Sequence, residues 1–199
     1  EGEPANPLDS VPVDPALRQL LNERLIRNRK LNVLLSTATT AIREHRPREA
    51  LLPLQAVLDS PIDAFTWNDA GQAVSCWLLA RETLRTLPQP ALLEYQRRYE
   101  IDAQQLWSQA QQSQDQVAER ELLRRFALTS AGAEALRVRA SSALDRGEFV
   151  EAARYYEQWS SHPFIDFAQH PWDQLRLAAA AELATADGIR IRLPTIDSN

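Results

Sequence analysis

The 199-residue chain has five glycines, one cysteine, three histidines, one lysine and no methionine. Each scarcity excludes something. Five glycines are too few for a turn-rich β protein, and could hardly supply a phosphate-cradling loop or a dinucleotide fingerprint. With no second cysteine, Cys76 forms no disulfide within the chain. Its apolar neighbours Ala73, Val74, Trp77 and Leu78 mark it as a buried small hydrophobe rather than a reactive thiol. No apolar run approaches the roughly 18 residues that a membrane-spanning helix needs. A Gly-x-Ser-x-Gly nucleophile elbow is missing too. The 27 acidic side chains outnumber the 22 basic ones, giving a net charge of −5, so nothing recommends a nucleic-acid backbone as target.

What the chain does have is leucine and alanine, 57 residues together, both strong helix formers. Their spacing predicts an all-α fold of seven to nine helices. Two stretches 102 residues apart carry the same helical hairpin. In the first, Leu34, Ala38, Ala41 and Ile42 recur at helical spacing, followed by Ala50, Leu54 and Val57 and closed by Pro61. In the second the matching residues are Leu136, Ala140, Ala143 and Leu144, then Ala152, Tyr156 and Trp159, then Pro163. An offset of 102 is three times the period of about 34 residues that marks the tetratricopeptide repeat. The expectation is therefore a set of degenerate tetratricopeptide-like hairpins stacked as a short α-solenoid, with an irregular helical bundle as the alternative, because Asn68, Gln72 and Ser75 break the repeat register between Pro61 and Thr129. Gly147 permits the tight turn of the second hairpin and Ala152 a close helix approach, while Phe149, Tyr156 and Trp159 fill the space between neighbours.

Along the chain, residues 1–13 form an extended, proline-bearing lead-in, and a helical repeat domain spans 14–186. Asp14-Pro15 opens a helix whose stripe runs through Leu17, Leu20, Leu21 and Leu25 to Ile42, unbroken or divided near Asn28. Pro47 opens the second helix of the first hairpin, 47–59. The spacing of Trp67, Ala70, Val74, Trp77, Leu78 and Arg81 predicts one helix from Phe65 to Leu84. After Pro88 and Pro90 come a helix through Tyr95 and Tyr99 and a separate one from Ile101-Asp102. The Gln-rich segment 104–116 reads as the polar end of that helix and its loop. Val117–Phe126 follows, and Thr129 caps the first helix of the second hairpin, expected over 130–160. Trp172, Leu175 and Ala179 fall at the Trp, Leu and Tyr positions of a tetratricopeptide first helix that ends near Ala186. In the tail, Ile189, Ile191 and Leu193 alternate with Arg190 and Arg192, a strand signal within a linker, 187–199, toward a missing β domain.

Between Leu87 and Trp159 the chain resembles one family. Tyr95-x3-Tyr99, Ala103-x2-Leu106, Arg124-Arg125-Phe126-x2-Thr129-x2-Gly132-x2-Ala135 and Asp145-Arg146-Gly147-x-Phe149-x2-Ala152 look like the helical N-terminal region of bacterial PQQ-binding-like β-propeller repeat proteins, abundant in planctomycetes. The resemblance implies a helical region preceding a propeller. This chain stops before any propeller repeat, so no quinone-binding residue can be carried over. The absent initiator methionine and polar, proline-bearing start read as a processed or recombinant fragment, and the resemblance implies an exported or periplasmic protein, a localisation that the residues alone leave open.

Candidate chemistry is sparse. His162, Asp166, His170 and Asp173 are the only plausible metal cluster, but their spacing matches neither His-Glu-x-x-His nor any finger pattern. Glu94, Glu100 and Asp102 near Tyr95 and Tyr99 read as helical surface charge rather than acid/base pairs. Arg97, Arg98, Arg124 and Arg125 form a candidate clamp for an acidic peptide, set against ordinary pairing with Glu100, Glu119 and Glu121. The expectation is a protein without catalytic, cofactor or metal residues: a scaffold for a protein partner or for its own downstream propeller. The alternative is a regulatory or substrate-positioning domain of a larger enzyme.

Overall fold

In the computed structural model, residues 28–67, 73–113 and 115–186 are described. The expected lead-in, the helix from Asp14 and the alternating tail at Ile189–Leu193 lie outside these residues. Eight α-helices account for most of the described chain, with two strands of three residues each. No helix among them is long and apolar enough to cross a membrane. The chain divides into two compact units, Glu1–Leu92 and Leu93–Asn199.

The first unit begins with a hairpin. Helix α1 (Arg29–Arg43) buries Leu31, Leu35, Ala38 and Ala41, a stripe at i, i+4, i+7 and i+10, and Leu34 lies half-buried at its edge. Helix α2 (Leu51–Leu58) buries Leu51, Leu54, Val57 and Leu58. It starts later than the expected Pro47, because residues 47–50 form turns, in which the amides of Glu49, Ala50 and Leu51 bond the carbonyls three residues back. Pro53 therefore sits in the first turn of α2, where an amide has no helical partner to lose.

The expected helix from Phe65 to Leu84 does not form as one piece. Strand β1 (Phe65–Trp67) pairs antiparallel with β2 (Ala73–Ser75), with Thr66 opposite Val74, and only then does helix α3 (Cys76–Arg85) begin. The reason lies in Asp63. Its carboxylate accepts from the amides of Ala64 (2.8 Å) and Trp77 (3.2 Å) and from the Ser75 hydroxyl. Ser75 in turn accepts from the Leu78 amide at 3.1 Å, and the Cys76 amide bonds the Ala64 carbonyl at 2.7 Å. The first turn of α3 is thus capped from outside, which a continuous helix would forfeit. Cys76 is fully buried, as its neighbours imply, and burial, helped by the Asp63 charge, pushes its thiol up to about 11.

Helix α4 (Gln89–Ser113) runs unbroken for 25 residues, where two helices were expected. Leu92, Tyr95, Tyr99, Ala103, Leu106 and Ala110 follow one another at spacings of three and four, a single stripe that carries straight past the exposed Ile101. In the second unit, Tyr99 packs between Tyr95 (4.9 Å between ring centres) and Phe126 (6.0 Å), and the Tyr95 hydroxyl donates to the Arg125 carbonyl at 3.0 Å.

Helix α5 (Gln116–Arg125) is capped by Asp115, which accepts from the amides of Val117 and Ala118. Helix α6 (Ser130–Asp145) and helix α7 (Phe149–Ser160) form the expected second hairpin, the densest helix pair in the protein. Leu136 and Ala140 meet Tyr156 and Trp159 in one buried cluster. Ala143, Ala152, Ala153 and, from the last helix α8 (Pro171–Ala186), Ala180 form a second cluster built of methyl groups. Gly147 closes the turn at φ +76°, with the half-buried Phe149 ring 3.9 Å from where a Cβ would stand. Helix α8 packs chiefly on α7 and only slightly on α6.

Candidate functional site

The first candidate is a face of α8. Its buried side, turned to the rest of the unit, consists of Asp173, Leu177, Ala180, Ala181 and Ala184. Trp172, Leu175 and Ala179, read as the Trp, Leu and Tyr positions of a tetratricopeptide first helix, lie on the solvent side: Trp172 is 76% exposed and Leu175 62%. Leu183, 43% exposed, continues the same stripe at i+11 from Trp172. Arg176 borders the stripe on one side and Glu182 on the other, by the helical period of 3.6 residues. The sequence pattern placed these residues on a helix, as found, without saying which side of it is buried. A helix in which ten of sixteen residues are Trp, Leu or Ala has two apolar faces, and periodicity alone does not rank them.

The junction beneath α8 is polar and closely bonded. Tyr156 and Ser141 share a 2.9 Å hydroxyl bond, Arg176 donates to Ser141 at 3.1 Å, and the same guanidinium stands 3.5 Å from the buried Asp173. These contacts tie α6, α7 and α8 into one register.

The second candidate is a cavity of about 410 Å³ between the start of α6 and the segment 161–170. Ser130, Ala133, Glu134 and Arg137 line one side, and Trp159, His162, Phe164, Ile165 and His170 the other. Glu134 and Arg137 pair with each other through two bonds, at 3.1 and 3.2 Å. Trp159 is almost wholly buried, with Phe167 and His170 edge-on to it at 5.6 and 5.0 Å. The Nδ1 of His162 accepts from the Phe164 amide at 3.3 Å, and Asp166 caps the short 3-10 turn Phe167–Gln169. The histidine segment thus packs aromatics and closes turns, and among the described residues no group of three or more His, Cys, Asp or Glu is placed to hold a metal ion.

The four arginines are handled separately. Arg98 pairs with Glu94 at 3.2 Å, Arg124 forks onto Glu121, and Arg125 lies over the Phe126 ring at 4.7 Å. Arg97 is exposed. The expected acidic neighbour of Arg124 is present. Glu100, by contrast, does something its sequence context conceals. Its two carboxylate oxygens accept from the backbone amides of Ser130 (2.8 Å) and Ala131 (3.1 Å), capping α6 from α4. Thr129 caps the same helix locally, accepting from the Gly132 amide at 3.1 Å as its sequence predicts.

No family model, curated protein or solved structure matches this chain.

Proposed function

We propose that the chain is a non-catalytic helical scaffold that makes contacts with a protein partner, and that the open face of α8 is where it does so. The observation that carries this reading is the stripe Trp172, Leu175, Ala179 and Leu183, four apolar side chains in helical register on the solvent side of an otherwise well-packed helix. Large exposed apolar residues gathered in one patch, rather than scattered, mark interaction surfaces. Trp is also the residue type most enriched among those that dominate binding energy. The resemblance to the helical region of propeller proteins supports the same class of role, with a propeller of the same protein as one occupant, and the stacked hairpins would then be tetratricopeptide-like.

A photo-crosslinking amino acid at Leu175, introduced into the protein in its native cells, tests the reading. A discrete crosslinked protein, absent when the probe sits at the exposed Arg154 on α7, is the expected result. Crosslinks no stronger at Leu175 than at Arg154 overturn it.

A further inference from the structure

Helices α6 and α8 share a pattern of five residues at an offset of 39. Glu134, Leu136, Arg137, Ala140 and Leu144 stand opposite Asp173, Leu175, Arg176, Ala179 and Leu183. The match extends to side-chain contacts, since Glu134 pairs with Arg137 and Asp173 with Arg176, each acid three residues before its arginine. At these positions the burial differs. On α6, Leu136 and Ala140 are buried in the cluster with Tyr156 and Trp159, which means that α7 covers them. On α8, Leu175 and Ala179 face solvent. The side of α8 that is buried, with Leu177 and Ala180, corresponds to Val138 and Ser141 on α6, of which Val138 is exposed. The two helices thus bury different faces, and the stripe of α8 that matches the face α7 covers on α6 is open.

Resting on the scaffold reading above, we propose that the open face of α8 takes one amphipathic helix of a partner chain, lying antiparallel to it as α7 lies on α6. The α6–α7 contact gives the chemistry of that occupant. It needs a small residue where Ala152 lets α7 approach, and an apolar residue where Tyr156 meets Leu136 and Ala140. Two positions differ. Ala143, which clusters with Ala152, corresponds to Glu182 on α8, so the occupant's small residue there lies beside a carboxylate and not a methyl group. Trp159 packs beside Ala133 on α6, and Ala133 corresponds to Trp172 on α8. With the large side chain already supplied by α8, the occupant carries a small one there. Recognition of this kind is helix-on-groove docking, read by residues at i, i+3, i+4 and i+7. A second copy of this chain is the competing occupant. Nothing in the stripe favours it, because Arg176 is already committed to Asp173 and Ser141 and offers no free charge to a twin.

The probe is a synthetic peptide of residues 148–161 carrying Trp159→Ala, titrated by calorimetry into the full chain. Saturable binding is expected, weakened about tenfold or more by Leu175→Glu or Leu183→Glu, with helix content by circular dichroism unchanged. Absence of saturable binding, or binding indifferent to both variants, overturns the proposal. So does sedimentation of the unliganded protein as a dimer that Leu175→Glu disperses, since the face would then belong to a second copy. A partner crosslinked at Leu175 together with a silent peptide would leave the scaffold reading standing and remove the helical occupant alone.

Discussion

His45 and Gly147, 102 positions apart, hold the same left-handed turn. Their φ angles are +59° and +76°, and they are the only described residues with positive φ. Around them the bonds repeat. Arg46 reaches back to the Ala41 carbonyl (2.8 Å) as Glu148 does to Ala143 (2.9 Å), and His45 bonds Ile42 as Gly147 bonds Leu144, both at 3.0 Å. This double bond pattern is the Schellman closure of a helix.

An L-residue in the left-handed region costs about 1–2 kcal/mol, partly offset because glycine loses more freedom on folding. His45→Gly should therefore raise stability by up to about 1 kcal/mol, and Gly147→Ala should lower it by about 1 kcal/mol. Urea denaturation midpoints of the two variants should move in opposite directions. A Cβ at Gly147 would meet the Phe149 ring only at an ordinary contact distance of 3.9 Å, so its loss would be conformational and not steric.

Gly132 presents the opposite case. A Cβ there would stand 2.2 Å from the Phe126 carbonyl oxygen and 2.8 Å from backbone atoms of Ala127. Backbone cannot swing away as a side-chain tip can. Gly132→Ala should cost at least as much as a typical overpacking change, about 1–3 kcal/mol. Ala152→Leu, at the methyl cluster with Ala143, Ala153 and Ala180, should fall in the same range of about 1–3 kcal/mol. Thermal unfolding of both variants checks this, and an unchanged midpoint for Gly132→Ala would contradict the helix start as described.

Removing Glu100 strips two bonds from the first turn of α6 while leaving the Thr129 cap in place. Loss of a capping side chain costs about 1 kcal/mol. Glu100→Ala should be destabilising by that amount, and the double variant with Thr129→Ala should lose more than either alone. The readout is the denaturation midpoint of the three proteins side by side.

The Cys76 thiol, held up to about 11 against an ordinary value of 9.0, stays neutral in the folded protein over a range in which the unfolded chain ionises. Its contribution to stability is complete below pH 9 and falls as pH rises from 9 toward 11. Native protein at pH 8 should resist alkylation by iodoacetamide, and urea-unfolded protein should react fully. Cys76→Ser should blunt the loss of stability between pH 9 and pH 11.

The second hairpin was legible in the sequence because its cues are local: Thr129 at the cap, Gly147 at the turn, and small residues facing large ones across a short connection. The β-hairpin was not. Val74 and Trp77 stand three residues apart in a strand-to-helix junction just as they would along a helix, and the deciding bonds run from Asp63 to residues 12 and 14 positions away. Glu100 is hidden for the same reason, its partners lying 30 and 31 residues further on. The buried face of α8 was not legible either, because its periodicity offers two apolar sides. Here alanines make the contact, since it is a close one.

That alanine seam has a mechanical consequence. Where Ala143, Ala152, Ala153 and Ala180 touch, the separation of three helices is set by single methyl groups with no rotamers to adjust. Interiors packed at crystal-like density transmit such a spacing instead of absorbing it. A change of one carbon at the seam would act as a wedge, tilting α8 about its contact line and re-aiming Trp172 and Leu175 near the helix's other end. The orientation of the exposed stripe is thus governed by residues that never reach the surface, and a partner's fit could be retuned without altering any side chain it touches.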